Sequence, residues 1–320
     1  MKQIVYITRK LPEEVVAPLR EKFTVRMWEE EEIVVPEEIL KEEAKSAHAL
    51  WTTITDQITR EVMEGAPNLK VVSNFAVGFN NIDIQAAKEL GITVTNTPNV
   101  LTETTADLAF ALLLASGRRI TEAEAMLRGG KWTSWSPMQL TGMDVFGATL
   151  GIIGMGRIGE AVAKRARGFE MNILYYNRTR KMDTEEMYGY EYVDLDNLLK
   201  RADFVLILAP LTEKTKNLIA KRELSLMKKT AVLVNASRGG IVNEQDLYEA
   251  LKAGEIWSAG LDVFETEPVS VNHPLLTLPN VTALPHIGSA SIQTRLAMMK
   301  LNERAIGDVL EGRVPNHIVV

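Results

Sequence analysis

Apolar runs of strand length recur along the chain: IVYIT (4–8), ALWTT (49–53), VVSNFA (71–76), TVTNT (93–97), TLGIIG (149–154), NILYY (172–176), FVLILA (204–209), AVLVNA (231–236) and VTALPH (281–286). Segments of helical period separate them. This alternation predicts an α/β fold of parallel sheets built from βαβ units. At 320 residues, 46% hydrophobic and 24% charged, the chain is long enough for two domains, each burying its own core.

A glycine-rich turn, GIIGMGRIG at 151–159, comes far too late for an N-terminal nucleotide domain, so a unit with its own sheet must precede it. The last segment, 291–312, has helical period and no strand after it. The simplest arrangement is an insertion. A dinucleotide-binding domain at 100–288 interrupts a substrate domain made of 1–99 and 289–320, and the two crossings form a hinge. Residues 101–130 read as one long helix, with Thr102 and Glu103 suited to its start and Gly129 and Gly130 to its end. Such a helix is more apolar than one buried face requires, which predicts a partner subunit on its other side.

The turn follows a strand and opens the helical pattern IGEAVAKRARGF, the context that gives a GxGxxG its meaning. Gly154 makes the tight turn, Gly156 lets backbone approach a pyrophosphate, and Gly159 lets the helix pack on the strand. Free N–H groups and the positive end of the helix dipole then face the phosphates. The next strand ends about twenty residues on, where an NAD-binding chain places an Asp or Glu on the ribose hydroxyls. Here the chain reads Asn177, Arg178, Thr179, Arg180. A carboxylate would repel a ribose 2′-phosphate, whereas Asn177 is neutral and the two arginines can pair with it. The expectation is NADP(H) in preference to NAD(H), with two plain surface arginines as the alternative.

Net charge is −6 and no basic block stands out, which argues against nucleic acid as a partner. The acidic run at 29–43 fits a solvated face. The apolar stretch of MKQIVYITRK is too brief for a signal-peptide core, and LAFALLLAS (108–116) is too short for a membrane span. With no cysteine, disulfides, thiolate catalysis and cysteine-ligated metals are excluded. A soluble cytoplasmic protein without a metal site is expected.

Three later segments each end a strand, where open parallel sheets place ligands. In NASRGGIVNE (235–244), Arg238 stands between Ser237 and Gly239-Gly240, free to approach a substrate carboxylate and polarise the neighbouring carbonyl. Taken alone it fits a structural role equally well. GLDVFETEP (260–268) carries Asp262, Glu265 and Glu267, and PHIGSAS (285–291) carries His286 and Gly288. Of the four histidines, at 48, 273, 286 and 317, His286 is the one at a strand end on the ligand side. Hydride transfer to a ketone needs a proton at oxygen, and a histidine held by a carboxylate can deliver it. Glu267 and His286 suit those parts if their strands are neighbours.

In these motifs, taken in order and spacing, the chain resembles the D-isomer-specific 2-hydroxyacid dehydrogenases over essentially its whole length. The resemblance implies two Rossmann-like domains in the interrupted order and a homodimer formed through nucleotide-domain helices and an arm before the glycine turn. It implies Arg238 as binder of the substrate carboxylate, His286 as general acid/base and Glu267 as its orienting carboxylate. Cofactor contacts are implied for Gly154, Gly156, Arg157, Ile158, Gly159, Asn177, Arg178, Thr179, Arg180, Ala209, Pro210, Thr215, Ala236, Ser237, Asp262 and Gly288, with Asp262 on the nicotinamide carboxamide. The segment NFAVGFNNID (74–83) matches the substrate loop, where N–H groups near Val77 and Gly78 receive the carboxylate. Turn capping is the simpler use of Asn81 and Asp83.

The text at 102–114, 130–137 and 177–180 looks most like glyoxylate/hydroxypyruvate reductases, in which an arm tryptophan, here Trp135, reaches toward the neighbouring subunit's site. Trp51, after a first-domain strand, is a candidate wall of the substrate pocket. The substrate implied is a small 2-ketoacid, reduced to the D-2-hydroxyacid. Two alternatives stand: a D-lactate or broader 2-ketoacid reductase, and a dinucleotide-sensing scaffold related to transcriptional corepressors.

Overall fold

The computed structural model describes residues 2–320 and divides into two compact units, Met1–Leu101 with Ala290–Val320, and Thr102–Ser289. In the first unit β1 (Ile4–Ile7), α1 (Glu13–Lys22), β2 (Thr24–Met27), α2 (Glu37–Ala44), β3 (Ala49–Thr52), α3 (Arg60–Glu64), β4 (Val71–Asn74), α4 (Ile84–Leu90) and β5 (Thr93–Thr95) alternate. These five strands pair with one another in parallel, in the order β2-β1-β3-β4-β5. Asp83 starts α4 by accepting the Ala86 N–H at 2.8 Å, and Gly91 ends it at φ +69°, where a glycine carries no steric penalty. Asp83 therefore does cap a turn.

In the second unit come α5 (Thr102–Gly117), α6 (Ile120–Arg128), β6 (Thr149–Ile153), α7 (Arg157–Arg167), β7 (Asn172–Tyr176), α8 (Met182–Tyr188), β8 (Glu191–Tyr192), α9 (Leu195–Arg201) and β9 (Phe204–Ile207). After these follow α10 (Lys221–Leu226), β10 (Val232–Asn235), α11 (Glu244–Ala253), β11 (Ser258–Leu261) and β12 (Val281–Ala283). The last helix, α12 (Ile292–Leu310), returns to the first unit and packs on β4 and α1. The second sheet is parallel throughout in the order β12-β11-β10-β9-β6-β7-β8. The fold is thus α/β with two Rossmann-like units, the second inserted in the first.

Both faces of the second sheet are covered, so its strands read as continuous apolar runs. Alternate residues feed two cores. Val205 and Ile207 of β9 join Leu198, Leu224 and Leu247 on one face, while Phe204 and Leu206 join Leu113, Val162 and Ile152 on the other.

The long helix expected over 101–130 is two helices. Arg119 sits at φ +53° and separates α5 from α6. The chain folds back over the end of α5: the Met143 N–H donates to the Gly117 carbonyl at 2.8 Å, and a Cβ on Gly142 would lie 2.3 Å from that same oxygen. The apolar surplus of α5 is also consumed at home. It packs on α7, β10 and β11, and a Cβ on Gly117 would lie 2.8 Å from the Phe204 ring. Exposed apolar side chains gather instead on α6 and the segment after it, at Ile120, Leu127, Trp132, Trp135, Met138 and Phe146.

Trp51 does not wall a pocket. It lies inside β3 at 1% exposure, packed in the core that includes Val5, Ile7, Leu19 and Val71. Beside it, at the carboxyl ends of β1 and β3, Asp56 is 2% exposed and faces Arg9 Nη1 at 3.2 Å. Asp56 Oδ2 also accepts from the Thr8 hydroxyl and, at 2.7 Å, from the Thr53 N–H. No helix among the described residues is long and apolar enough to cross a membrane.

Candidate active site

The strand order of the second sheet explains why residues far apart in sequence share one edge. β6 and β9 are neighbours whose connections run in opposite directions, and ligands of open α/β sheets bind outside the carboxyl ends at such a switch point. Along that edge, in the order β7, β6, β9, β10, β11, β12, stand Asn177 and Arg178, the glycine turn, Ala209 and Pro210, Ser237 and Arg238, Asp262, and finally His286. At about 4.8 Å per strand this row spans roughly 24 Å.

At the switch point Gly154 has φ +103°, and a Cβ there would lie 2.6 Å from the Ala209 backbone nitrogen. Only glycine lets the β6 and β9 turns touch. A Cβ on Gly159 would meet the Gly154 carbonyl oxygen at 2.5 Å, so Gly159 admits the helix to the turn. Gly156, the N-cap of α7, faces open space and supplies no side-chain cap. The first-turn N–H groups, those of Arg157, Ile158 and Gly159, are left for an anion. These three observations fit a dinucleotide pyrophosphate. Thr215 folds back on the β9 turn, its hydroxyl donating to the Pro210 carbonyl at 2.7 Å, and the Ala236 N–H reaches the Ile207 carbonyl.

After β7, Asn177 Nδ2 donates to the Thr179 carbonyl at 2.8 Å, which closes the turn and leaves Arg178 and Arg180 exposed. The two arginines differ. Arg180 is ion-paired with Glu185 at 2.6 Å, while Arg178 takes part in no ion pair among the described residues.

At the other end, Asn235 closes β10 and shapes the next turn. Its Nδ2 donates to the Arg238 carbonyl at 2.9 Å and its Oδ1 accepts from the Ser237 N–H and hydroxyl. A Cβ on Gly239 would lie 1.9 Å from the Phe264 carbonyl, so this turn seats directly against the segment carrying Glu267. Burial lowers the Arg238 guanidinium from its usual value and Glu267 opposes the shift. Arginine remains a cation under all working conditions.

β11 and β12 pair in register, Leu261 opposite Ala283, and this brings the carboxylate and the imidazole together. Glu267 Oε2 lies 2.7 Å from His286 Nδ1, and Oε1 accepts the Phe264 N–H at 2.9 Å. Both side chains are about three-quarters buried, at 26% and 25% exposure. Burial pushes the Glu267 carboxyl up, but the His286 hydrogen bond and charge, the Phe264 N–H and Arg238 outweigh it and leave it below its ordinary value. Glu267 is therefore ionised at neutral pH.

His286 occupies φ +54°, an unusual position for a non-glycine residue. Asp262, 1% exposed, holds the turn: Oδ1 accepts the Ile287 N–H and Oδ2 the Gly288 N–H, each at 2.8 Å. Burial raises the Asp262 carboxyl, with the two N–H groups and His286 working against it. Sequence reasoning missed this clamp and the Asn235 network. An Asn at a strand end just before Ser-Arg-Gly-Gly was the available signal for the latter.

In the first unit, the Gly78 and Val77 carbonyls are tied by Asn74 Nδ2 at 2.9 Å and Asn96 Nδ2 at 2.8 Å. The backbone N–H groups of Val77 and Gly78 have no partner among the described residues. Asn81 binds inward, its Nδ2 on the Thr53 and Asp56 carbonyls at 3.0 Å. Trp135 is 75% exposed. Among the described residues no cluster of His, Asp or Glu could hold a metal ion.

Sheet order, the uncapped helix after a glycine turn, and an arginine with a carboxylate–histidine pair on the same edge define a dinucleotide-dependent oxidoreductase. The profile described as D-isomer specific 2-hydroxyacid dehydrogenase, NAD binding domain, matches residues 110–288. The chain is 48% identical over 320 residues to a glyoxylate reductase of Korarchaeum cryptofilum, covering 100% of this chain and 96% of that one. To the glyoxylate reductase of Pyrococcus horikoshii it is 47% identical over 323 residues, with the same coverage. Among solved structures, a protein from Thermus thermophilus superposes with TM-score 0.93 at 43% identity, covering 99% of this chain and 100% of that one. An NADPH-dependent glyoxylate/hydroxypyruvate reductase of Sinorhizobium meliloti, in complex with NADP and malonate, gives 0.84 at 33% identity, covering 100% and 97%. The chain belongs to the D-isomer-specific 2-hydroxyacid dehydrogenase family, and its cofactor is a nicotinamide dinucleotide.

Proposed function

We propose that this enzyme reduces small 2-ketoacids, glyoxylate and hydroxypyruvate foremost, to D-2-hydroxyacids, with NADPH preferred over NADH. The observation that carries the chemistry is the 2.7 Å contact between Glu267 Oε2 and His286 Nδ1 on neighbouring strands of the dinucleotide sheet. The names of the similar glyoxylate reductases support the substrate class.

The dinucleotide, when bound on the glycine turn, supplies the hydride. An ionised Glu267 can only accept, so Nδ1 carries the proton in that bond and Nε2 is the nitrogen that exchanges with substrate. His286 gives its Nε2 proton to the ketone oxygen as the carbonyl carbon is reduced, and regains one from solvent. Glu267 holds the ring in orientation and balances the charge of its protonated form. Arg238 binds the substrate carboxylate and polarises the carbonyl beside it. The N–H groups of Val77 and Gly78, without a partner among the described residues, are assigned to binding a substrate carboxylate. Asp262 keeps the His286 turn in place, and its remaining lone pairs are assigned to the nicotinamide carboxamide.

Arg178, exposed and without an ion pair, is assigned to the 2′-phosphate. Arg178→Ala is expected to raise the KM for NADPH roughly tenfold, the loss of one charge-assisted bond, and to leave that for NADH unchanged. Steady-state kinetics with both cofactors checks this, and equal effects on the two would refute it. The exposed apolar residues of 120–146 are assigned to a homodimer interface, with Trp135 reaching the partner's site.

A further inference from the structure

Around Arg180 the structure holds a closed set of contacts that the cofactor reading does not use. Glu185 Oε1 accepts from Arg180 Nε at 2.8 Å and from the hydroxyl of the fully buried Tyr175 at 2.6 Å. Glu185 Oε2 accepts from Nε at 3.0 Å and from Nη2 at 2.6 Å. The Tyr175 hydroxyl in turn accepts the Lys181 N–H at 2.8 Å, and Lys181 Nζ pairs with Glu160 of α7 at 2.8 Å. The Arg180 guanidinium lies 5.7 Å from the centre of the Tyr192 ring. One edge and one face of Arg180 are thereby occupied, and Nη1 has no hydrogen-bond partner among the described residues.

We infer that Glu185 is a specificity-determining positioning residue: it fixes Arg180 beside the 2′-phosphate position while cancelling its charge, and so tempers the preference for NADPH. The inference rests on the 2′-phosphate reading of Arg178 and Arg180. Glu185 cannot relax by protonation. Its bonds from Arg180 and then Tyr175 pull its carboxyl to about 2, so it is ionised across the working range. A 2′-phosphate carries close to two negative charges and meets one uncompensated cation at Arg178, one compensated at Arg180, and the carboxylate behind it. Removing that carboxylate strengthens attraction most for a phosphate on the ribose, the anionic group this reading places beside Arg180.

Glu185→Gln removes the charge and retains an acceptor for Tyr175. Titration of the full-length protein with 2′,5′-ADP and with 5′-AMP is the direct test, because neither needs turnover. For Glu185→Gln we expect roughly fivefold tighter binding of 2′,5′-ADP at low salt, a gain that shrinks as salt rises, and unchanged 5′-AMP binding. In kinetics the KM for NADPH falls while kcat and the KM for NADH stay put, and Glu185→Asp restores wild-type discrimination. Weaker 2′,5′-ADP binding, or equal changes for both nucleotides, would overturn the inference and mark Glu185 as a structural brace. Wild-type protein that binds the two nucleotides equally would instead overturn the 2′-phosphate reading beneath it.

Discussion

His286→Ala is expected to lower kcat for ketoacid reduction by about two to four orders of magnitude, the usual contribution of a positioned acid. Among the described residues the imidazole is bonded to Glu267 alone, and the turn beneath it is held through backbone N–H groups by Asp262. The variant should therefore fold and bind the dinucleotide as the parent does. Because His286 sits at φ +54°, His286→Asn is the better-tolerated companion and should be equally slow. Cofactor binding followed by fluorescence, alongside turnover at saturating substrate, separates chemistry from folding. A loss of less than tenfold in both variants contradicts the assignment.

The second large effect lies in the first unit. Asp56→Ala leaves Arg9, 8% exposed, without its counter-charge and strips acceptors from Thr8 and Thr53. Breaking a buried pair from one side costs about 3–5 kcal/mol, whereas replacing both partners by apolar residues of similar volume is often near neutral. Chemical denaturation of Asp56→Ala should show the full loss, and Arg9→Leu with Asp56→Leu should recover much of it. A shift below about 1 kcal/mol in Asp56→Ala would mean that solvent reaches the pair.

What the sequence discloses here follows from the range of the interactions. Strand runs and the glycine turn are local patterns, and Gly154 and Gly159 are needed for contacts made within the turn or with the adjoining strand. The grouping of Arg238, Glu267 and His286 was legible because each closes a strand of one parallel sheet. The break at Arg119 was missed in part because its long-range support, residues 141–143 folding back on Gly117, lies outside a local pattern. Gly117 itself, followed by two arginines, was the overlooked stop signal. Trp51 was misplaced because a residue at a strand end can face core or cleft, and only the packing of α1 and α12 decides. Arg180 looked as free as Arg178 in the sequence. Its partner Glu185 lies five residues on in a separate helix, beyond the reach of a strand-end motif.

Loss of the near-ultraviolet absorbance of NADPH on mixing with glyoxylate, hydroxypyruvate or pyruvate, with chiral analysis of the product, tests the central claim most directly. The account predicts oxidation of NADPH with glyoxylate and hydroxypyruvate, at higher kcat/KM than with NADH, and a D-configured product from hydroxypyruvate. No loss of absorbance with any of the three ketoacids, or an L-configured product, would contradict it.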